Sequence, residues 1–351
     1  MALLSRFAPS SDVAVPGQLS LSKLLLLGFG SLAAGGAVLW SLSRCFRWSR
    51  PRQVRIASLY VYPIKGCKGH RLPKARLTKW GLEDDRVYMI VNEKMEFVSQ
   101  RELPKMALIH PDLPTASGLK LRVAPEVGQG VEPLLVPLKL DGPEKKVRVW
   151  EDWVPAIDQG DEVSKWLSSF LRTDGLRLVR IAKTAQRITD PKYGTGETAF
   201  SDGFPVLVTS QASIDAIRRK VLREGGPAVG IERFRPNIHV EGCGAFQEDE
   251  MRSLSLPGVQ LPLVKPCSRC TVPGIDPQTG TRTKQTGGAV TKTLREHRSG
   301  QLMAKSAALH QAFFSESKRA DDVYFGQNAL VFLDKAVGTE IAEGDLAAVT
   351  W

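Results

Sequence analysis

The sequence predicts a mixed α+β protein, rich in β-barrel or strongly curved sheet and tethered by a single N-terminal transmembrane helix. Three observations carry this. Short β-forming runs recur between Gly- and Pro-rich turns, only two segments show helical spacing of apolar residues, and one uncharged apolar run stands near the N-terminus. Of 351 residues, 42% are apolar and 24% charged, a globular balance that excludes a mostly disordered chain. The 31 Gly and 22 Pro follow no three-residue period, and five Cys are too few for a disulfide-stapled scaffold. The length suits one large domain or two interlocked modules.

The N-terminal tail, residues 1–23, leads into an uncharged run of 19 residues, Leu24 to Leu42. At helical rise this spans roughly 28 Å, close to the hydrocarbon thickness of a bilayer. A cleaved signal would be shorter with a small-residue cleavage site, and a buried globular helix would show a polar face. A single-pass anchor fits both the length and Trp40 and Trp48 near its end. Arg44, Arg47, Arg50 and Arg52 follow the span with no acid among them, so the remainder of the chain is expected to face the cytosol.

The net charge of +11 raises the question of nucleic acid. The longest basic cluster, Arg218-Arg219-Lys220, falls inside an amphipathic helix, and no basic stripe with interleaved aromatics or zinc-finger pattern is present. The expectation is no nucleic-acid partner. The charge reads instead as a solvated surface with a site for an anionic ligand, able to attract anionic lipid or an acidic protein.

Elements then follow in order. Arg55–Val61 and Arg86–Asn92 read as strands, and Pro111 to Pro143 as short strands between turns. Val163, Trp166, Leu167, Phe170 and Leu171 predict a helix opening at Asp161, and Leu176–Ile181 a strand after it. Thr184 to Gly203 reads as a long loop. Val206–Thr209 is a strand, and Ser210 caps a helix carrying Ile214, Ile217, Val221 and Leu222 that ends near Gly225. Ile238–Val240, Val259–Val264 and Ala329–Leu333 are further strands, with a division of the chain near residue 185.

Common catalytic signatures are absent: there is no HExxH, no Walker A loop and no second Cys pair to complete a zinc site. Gly194 to Ala199 spells GxGxxA, but Thr-Asp-Pro-Lys-Tyr precedes it where a dinucleotide site needs an apolar strand, so it reads as a flexible loop. The five His are dispersed, and His239 reads as a strand residue. Three segments could carry chemistry. Lys265-Pro266-Cys267-Ser268-Arg269-Cys270 offers a thiolate for a soft or high-valent metal, with Arg269 to keep a thiol ionised, or else an inert buried pair. Phe234-Arg235-Pro236-Asn237-Ile238 offers a guanidinium fork and an amide for a phosphate and a heterocycle edge, or a structural Arg paired with a carboxylate. Tyr62-Pro63-Ile64-Lys65-Gly66-Cys67-Lys68-Gly69 offers Lys65 for a phosphate, or a simple turn.

Together these segments resemble the MOSC family, and within it the mitochondrial amidoxime-reducing components. The resemblance runs from about Val54 to Thr350. Its marks are Tyr62 to Lys65 with Cys67-Lys68-Gly69, Asp85-Arg86, Ser201-Asp202, Arg235 to Ile238, Cys267 to Cys270 followed by Asp276-Pro277-Gln278-Thr279-Gly280, and Phe325-Gly326-Gln327, with Gly338 to Asp345 as a closing strand. The family implies a MOSC β-barrel (184–351) with an N-terminal β-rich domain (53–183) wrapped against it. It also implies the molybdenum cofactor, a pyranopterin carrying a dithiolene and a phosphate. By motif position Cys270 is the metal's thiolate ligand. Lys65, Arg86 and Arg235 match the cations around the pterin, and Asn237 and Ser268 match polar cofactor contacts. Asp202 matches a carboxylate near the metal and is expected to assist proton delivery. Gly203-Phe204 stands where animal members carry hydroxyl residues, leaving backbone N–H groups to meet the cofactor, and Tyr88 stands where they carry Trp.

The activity so implied is reduction of N-hydroxylated substrates, amidoximes and hydroxylamines. No NADH site and no iron–sulfur cysteine set is present, so electrons are expected from cytochrome b5 and its NADH-cytochrome b5 reductase at the outer mitochondrial membrane. The competing expectation is a MOSC-type sulfur carrier or sulfurtransferase.

Overall fold

Alternation lays down the first strand, β1 (Gln53–Val61). Val54, Ile56, Leu59 and Val61 are buried while Gln53 and Arg55 face solvent. A bulge between Ile56 and Ser58 bends it, as a closing sheet requires. The structure, a computed structural model, describes residue 50 and residues 52–128, 130–282, 288–306, 311–314, 319–332 and 336–351. The expected tail and anchor (1–23 and Leu24–Leu42) lie outside the described residues. Among those described, no helix is long and apolar enough to cross a membrane.

The strands that follow are β2 (His70–Leu72), β3 (Lys74–Thr78), β4 (Gly81–Leu82), β5 (Tyr88–Val91), β6 (Ile109–Pro111), β7 (Leu119–Val123) and β8 (Leu134–Val136). Next come β9 (Glu144–Val149), β10 (Asp152–Asp158), helix α1 (Asp161–Leu171) and β11 (Arg177–Ile181). The rest comprises β12 (Val206–Ser210), helix α2 (Gln211–Arg223), β13 (Ile238–Glu241), β14 (Ser253–Leu256), β15 (Val259–Ser268), helix α3 (Ala289–Arg298), β16 (Tyr324–Ala329), β17 (Glu340–Ala342) and β18 (Leu346–Thr350).

Among the described residues seven strands close into a barrel in the order β13-β12-β16-β15-β14-β18-β1, with β1 pairing back to β13. Only β12 and β13 run parallel, because α2 carries the chain across between them. β1 is a barrel strand although it comes from the stretch expected in the N-terminal domain. The barrel's apolar filling includes Val54, Ile56, Leu59, Val208, Ile238, Leu254, Leu261 and Ala347. Burying each large aliphatic side chain contributes roughly 1.5–3 kcal/mol. Ser210 caps α2 as expected, its hydroxyl accepting from Ser213 N.

A second apolar cluster joins β5, β9, β10, β11 and α1 through Met89, Ile90, Val147, Val154, Leu167 and Leu178. These strands form a four-stranded sheet, β5-β11-β10-β9. Asp161 opens α1 but does not cap it. Gly160 does, at φ 111, and Asp161 instead meets Arg177 at 2.9 Å.

Two expectations need correction, and one helix was not foreseen. Of the expected strand Ala329–Leu333, residues 330–332 are not strand and Leu333 lies outside the described residues. The strand there is β16, which ends at Ala329, and its Gly326-Gln327-Asn328 hide it from β-propensity. Gly326 is required because a Cβ would meet Val208 O at 2.8 Å, at φ +80. Helix α3 was not anticipated, because its polar sequence buries only Val290, Thr293, Leu294 and Arg298. Gly338 to Asp345 supplies β17 and a turn, and the strand that closes the barrel edge is β18.

Candidate functional site

Between the barrel and the second sheet lies an open cleft whose enclosed volume is about 130 Å³. It brings together Lys65, Arg86, Asp202, Gly203, Phe204, Arg235, Asn237 and Cys270, all anticipated from sequence. Ser268 is exposed at the end of β15 and is not among the lining residues.

Cys270 is a free, exposed thiol just beyond β15. Its loop is fixed from below by Arg233, which is buried and donates to Ile275 O (2.8 Å), Pro273 O (3.3 Å) and Asp276 Oδ2 (3.0 Å). Asp276 Oδ1 in turn accepts from the backbone N–H of Gln278 and Thr279, which explains the Asp-Pro-Gln-Thr-Gly run as a turn. Arg269 Nη2 donates to Phe234 O at 2.8 Å, and its Nη1 points at Cys267 Sγ (3.2 Å), not at Cys270. Cys67 is a fully buried core residue, and burial pushes its thiol up to about 12.

Arg86 and Arg235 form the cationic floor. Both have left-handed backbones, at φ 50 and φ 56, uncommon for residues with a Cβ. Both guanidinium carbons lie over the Tyr62 ring, at 4.5 and 4.2 Å. Arg86 donates to buried Asp85 (2.6 Å), to Asn237 Oδ1 (3.2 Å) and to Arg235 O (2.9 Å). Arg235 Nη1 donates to Cys67 O at 2.7 Å. Burial, then the like charge of Arg86, draws the Arg235 pKa down to about 10. Asn237 spends its amide inside the protein, on Arg86, Leu207 N and Tyr60 O, and so positions Arg86.

Lys65 Nζ reaches Asp202 Oδ1 at 2.5 Å; the lysine side chain is 11% exposed and the aspartate 74%. Burial pulls the Lys65 ammonium down and Asp202 pulls it back, with the net direction downward. Crowding by protein opposes charge on Asp202, but Lys65, the Trp150 N–H and Arg86 outweigh it and hold the carboxyl below the usual range. Asp202 is therefore ionised near neutrality and accepts a hydrogen bond from Lys65 Nζ.

Sequence reasoning missed two residues here. Arg187 is buried and donates to Asp152 (2.7 Å) and to the carbonyls of Ala199 (3.0 Å), Ser201 (2.5 Å) and Asp202 (3.2 Å), so it holds the segment presenting Asp202. Trp150 Nε1 donates to Asp202 Oδ1 at 3.1 Å. Neither belongs to a motif. Their partners are assembled only by folding.

The cleft fits a cofactor with an anionic tail. Among the described residues, Arg235 Nη2 and Arg269 Nε are buried with no hydrogen-bond partner, so donors await an acceptor. A Cβ on Gly203 would meet nothing within 4 Å, leaving open space beside them.

Comparison with known proteins agrees with this geometry. The MOSC N-terminal beta barrel domain model matches residues 53–174, and the MOSC domain model matches residues 195–322. The chain is 32% identical to mitochondrial amidoxime reducing component 2 of Rattus norvegicus, over 76% of this chain and 80% of that one. It is 29% identical to mitochondrial amidoxime-reducing component 1 of Homo sapiens, over 88% of this chain and 93% of that one. It is also 29% identical to the molybdenum cofactor sulfurase of Danio rerio, over 73% of this chain but only 32% of that one. On the barrel, its cleft and these relatives, the chain belongs to the MOSC-domain family, together with the mitochondrial amidoxime reducing components.

Proposed function

We propose that this protein is a membrane-anchored, molybdenum-cofactor-dependent reductase of N-hydroxylated compounds, converting amidoximes and hydroxylamines to amidines and amines. One observation carries the reading: a free Cys270 thiol shares a cleft with the cations Lys65, Arg86, Arg235 and Arg269. The names of the relatives support the substrate class. When bound, the molybdenum cofactor supplies the two-electron, oxygen-accepting chemistry that N–OH cleavage needs.

The chain's own residues do the rest. Cys270 gives the metal its protein thiolate, and Arg233 fixes that sulfur's loop. Arg86 and Arg235 bind the anionic tail through planar, donor-rich groups that suit phosphate. Lys65 Nζ holds a proton at the cleft, and Asp202 Oδ1 keeps it there until the departing oxygen of the substrate takes it. Phe97, Trp150 and Phe204 wall the cleft and limit water.

Electrons would come from a cytochrome b5-type haem protein reduced by NADH-cytochrome b5 reductase, at the outer mitochondrial membrane with the catalytic part facing the cytosol. The net charge of +11 supports an acidic donor, since opposite fields raise encounter rates more than affinity. Turnover with that donor should fall with added salt.

The match to the sulfurase supports a second reading, a molybdenum-cofactor sulfur carrier. Anaerobic holoprotein given benzamidoxime and an artificial electron donor separates the two. Benzamidine formation is expected. No benzamidine, with transfer of a protein-bound persulfide sulfur, would favour the carrier.

A further inference from the structure

Trp150 sits in the turn between β9 and β10 with φ 56, a left-handed conformation that a bulky side chain rarely adopts. Such strain persists only where the surroundings over-determine it, and it gathers at functional positions. The surroundings here are explicit. Arg148 Nε donates to Trp150 O at 2.9 Å, and Asp152, two residues on, is bound by buried Arg187 at 2.7 Å. Arg187 also grips the Asp202 backbone, so one guanidinium ties the Trp150 turn to the Asp202 segment.

The ring itself is placed, not loose. Phe97 meets it at 5.0 Å between centroids and Arg101 lies over it at 4.9 Å, yet Trp150 remains 38% exposed while lining the cleft. A Gly or Asn would make the same turn without strain. The fold instead presents a large flat apolar surface beside the Lys65–Asp202 pair, with its N–H on Asp202.

We propose that Trp150 is a specificity-determining and positioning residue: the part of its ring left exposed beside Phe97 and Arg101 packs against the planar aryl or heteroaryl part of the substrate, and its N–H aims Asp202. The inference rests on the reductase reading for its reaction but predicts binding independently of it. The two roles separate by chemistry. Trp150→Phe keeps a ring and loses the N–H, and Trp150→Ala loses both.

The test compares holoenzyme variants on benzamidoxime and on acetamidoxime, which has no ring. Trp150→Ala is expected to raise the ratio of KM for benzamidoxime to KM for acetamidoxime about tenfold, the scale of a lost aromatic contact. Trp150→Phe should hold that ratio near wild type while lowering kcat on both substrates. An equal change in both KM values for Trp150→Ala, or an unchanged ratio, overturns the proposal. Calorimetric titration with benzamidine and acetamidine adds a readout free of turnover. Loss of the benzamidine preference in Trp150→Ala, but not in Trp150→Phe, is expected even if the wild type reduces neither amidoxime, which would defeat the reductase reading alone. Equal preference in wild type and Trp150→Ala overturns the role of the ring.

Discussion

Arg86 donates to the main-chain oxygen of Arg235 at 2.9 Å, so one cation of the cleft sets the backbone of the other. The two like charges then share the Tyr62 ring, with Asp85 hydrogen-bonded beneath Arg86. That arrangement is costly alone and favourable once an anionic group arrives. Arg235→Met should weaken pterin retention by about ten- to a hundredfold, the worth of a charge-assisted hydrogen bond. Pterin content per protein after gel filtration checks this, with a wild-type circular dichroism spectrum at the assay temperature as the control for folding.

The Lys65–Asp202 pair predicts a kinetic signature. Asp202→Asn leaves Lys65 buried without its counter-charge, so the ammonium pKa falls further. kcat for benzamidoxime should drop by about a hundredfold, with KM little changed and the pH–rate profile displaced. Steady-state rates with an artificial donor across pH measure it. An unaltered rate and profile would remove the pair from proton delivery.

Arg233 predicts a coupling between stability and metal retention. Its removal strands the carbonyls of Pro273 and Ile275 and frees Asp276 from its ion pair. Arg233→Met should cost about 3 kcal/mol in unfolding free energy and lower molybdenum content, because the Cys270 loop loses its brace. Chemical denaturation and metal analysis of the same preparation test both halves.

His239 predicts an acid limit. It lies buried in β13, its Nδ1 2.9 Å from Thr209 Oγ1 and its Nε2 3.0 Å from Gln211 Oε1. An amide oxygen only accepts, so Nε2 donates the hydrogen to Gln211. Burial draws its pKa down to about 4. A folded pKa below the unfolded value contributes stability that is present above about 6.5 and is lost as pH falls toward 4. The loss should reach about 3 kcal/mol, and a His239→Gln variant should show a shallower fall in unfolding midpoint over that window.

Much of this was legible before folding. The β-forming runs Arg55–Val61 and Val206–Thr209 mark barrel strands, and the Cys267–Cys270, Arg235–Asn237 and Lys65 segments together resemble one family. What stayed hidden depends on distant partners. No sequence motif marks Trp150 or Arg187, whose partners assemble only when the β9–β10 turn and the 199–202 segment meet. Gln327 weakens the strand signal of β16 because its amide is spent on Asp249 at 2.8 Å, a contact no local propensity records. Arg269 was expected to attend one thiol of the pair, with neither specified, and its Nη1 lies against Cys267.

X-ray absorption at the molybdenum edge, on wild-type holoprotein and Cys270→Ala, tests the central claim most directly. The variant should lose a sulfur scatterer from the metal's coordination shell, while Cys267→Ala keeps the wild-type shell. A Cys270→Ala protein that holds molybdenum with its sulfur shell unchanged would contradict the account.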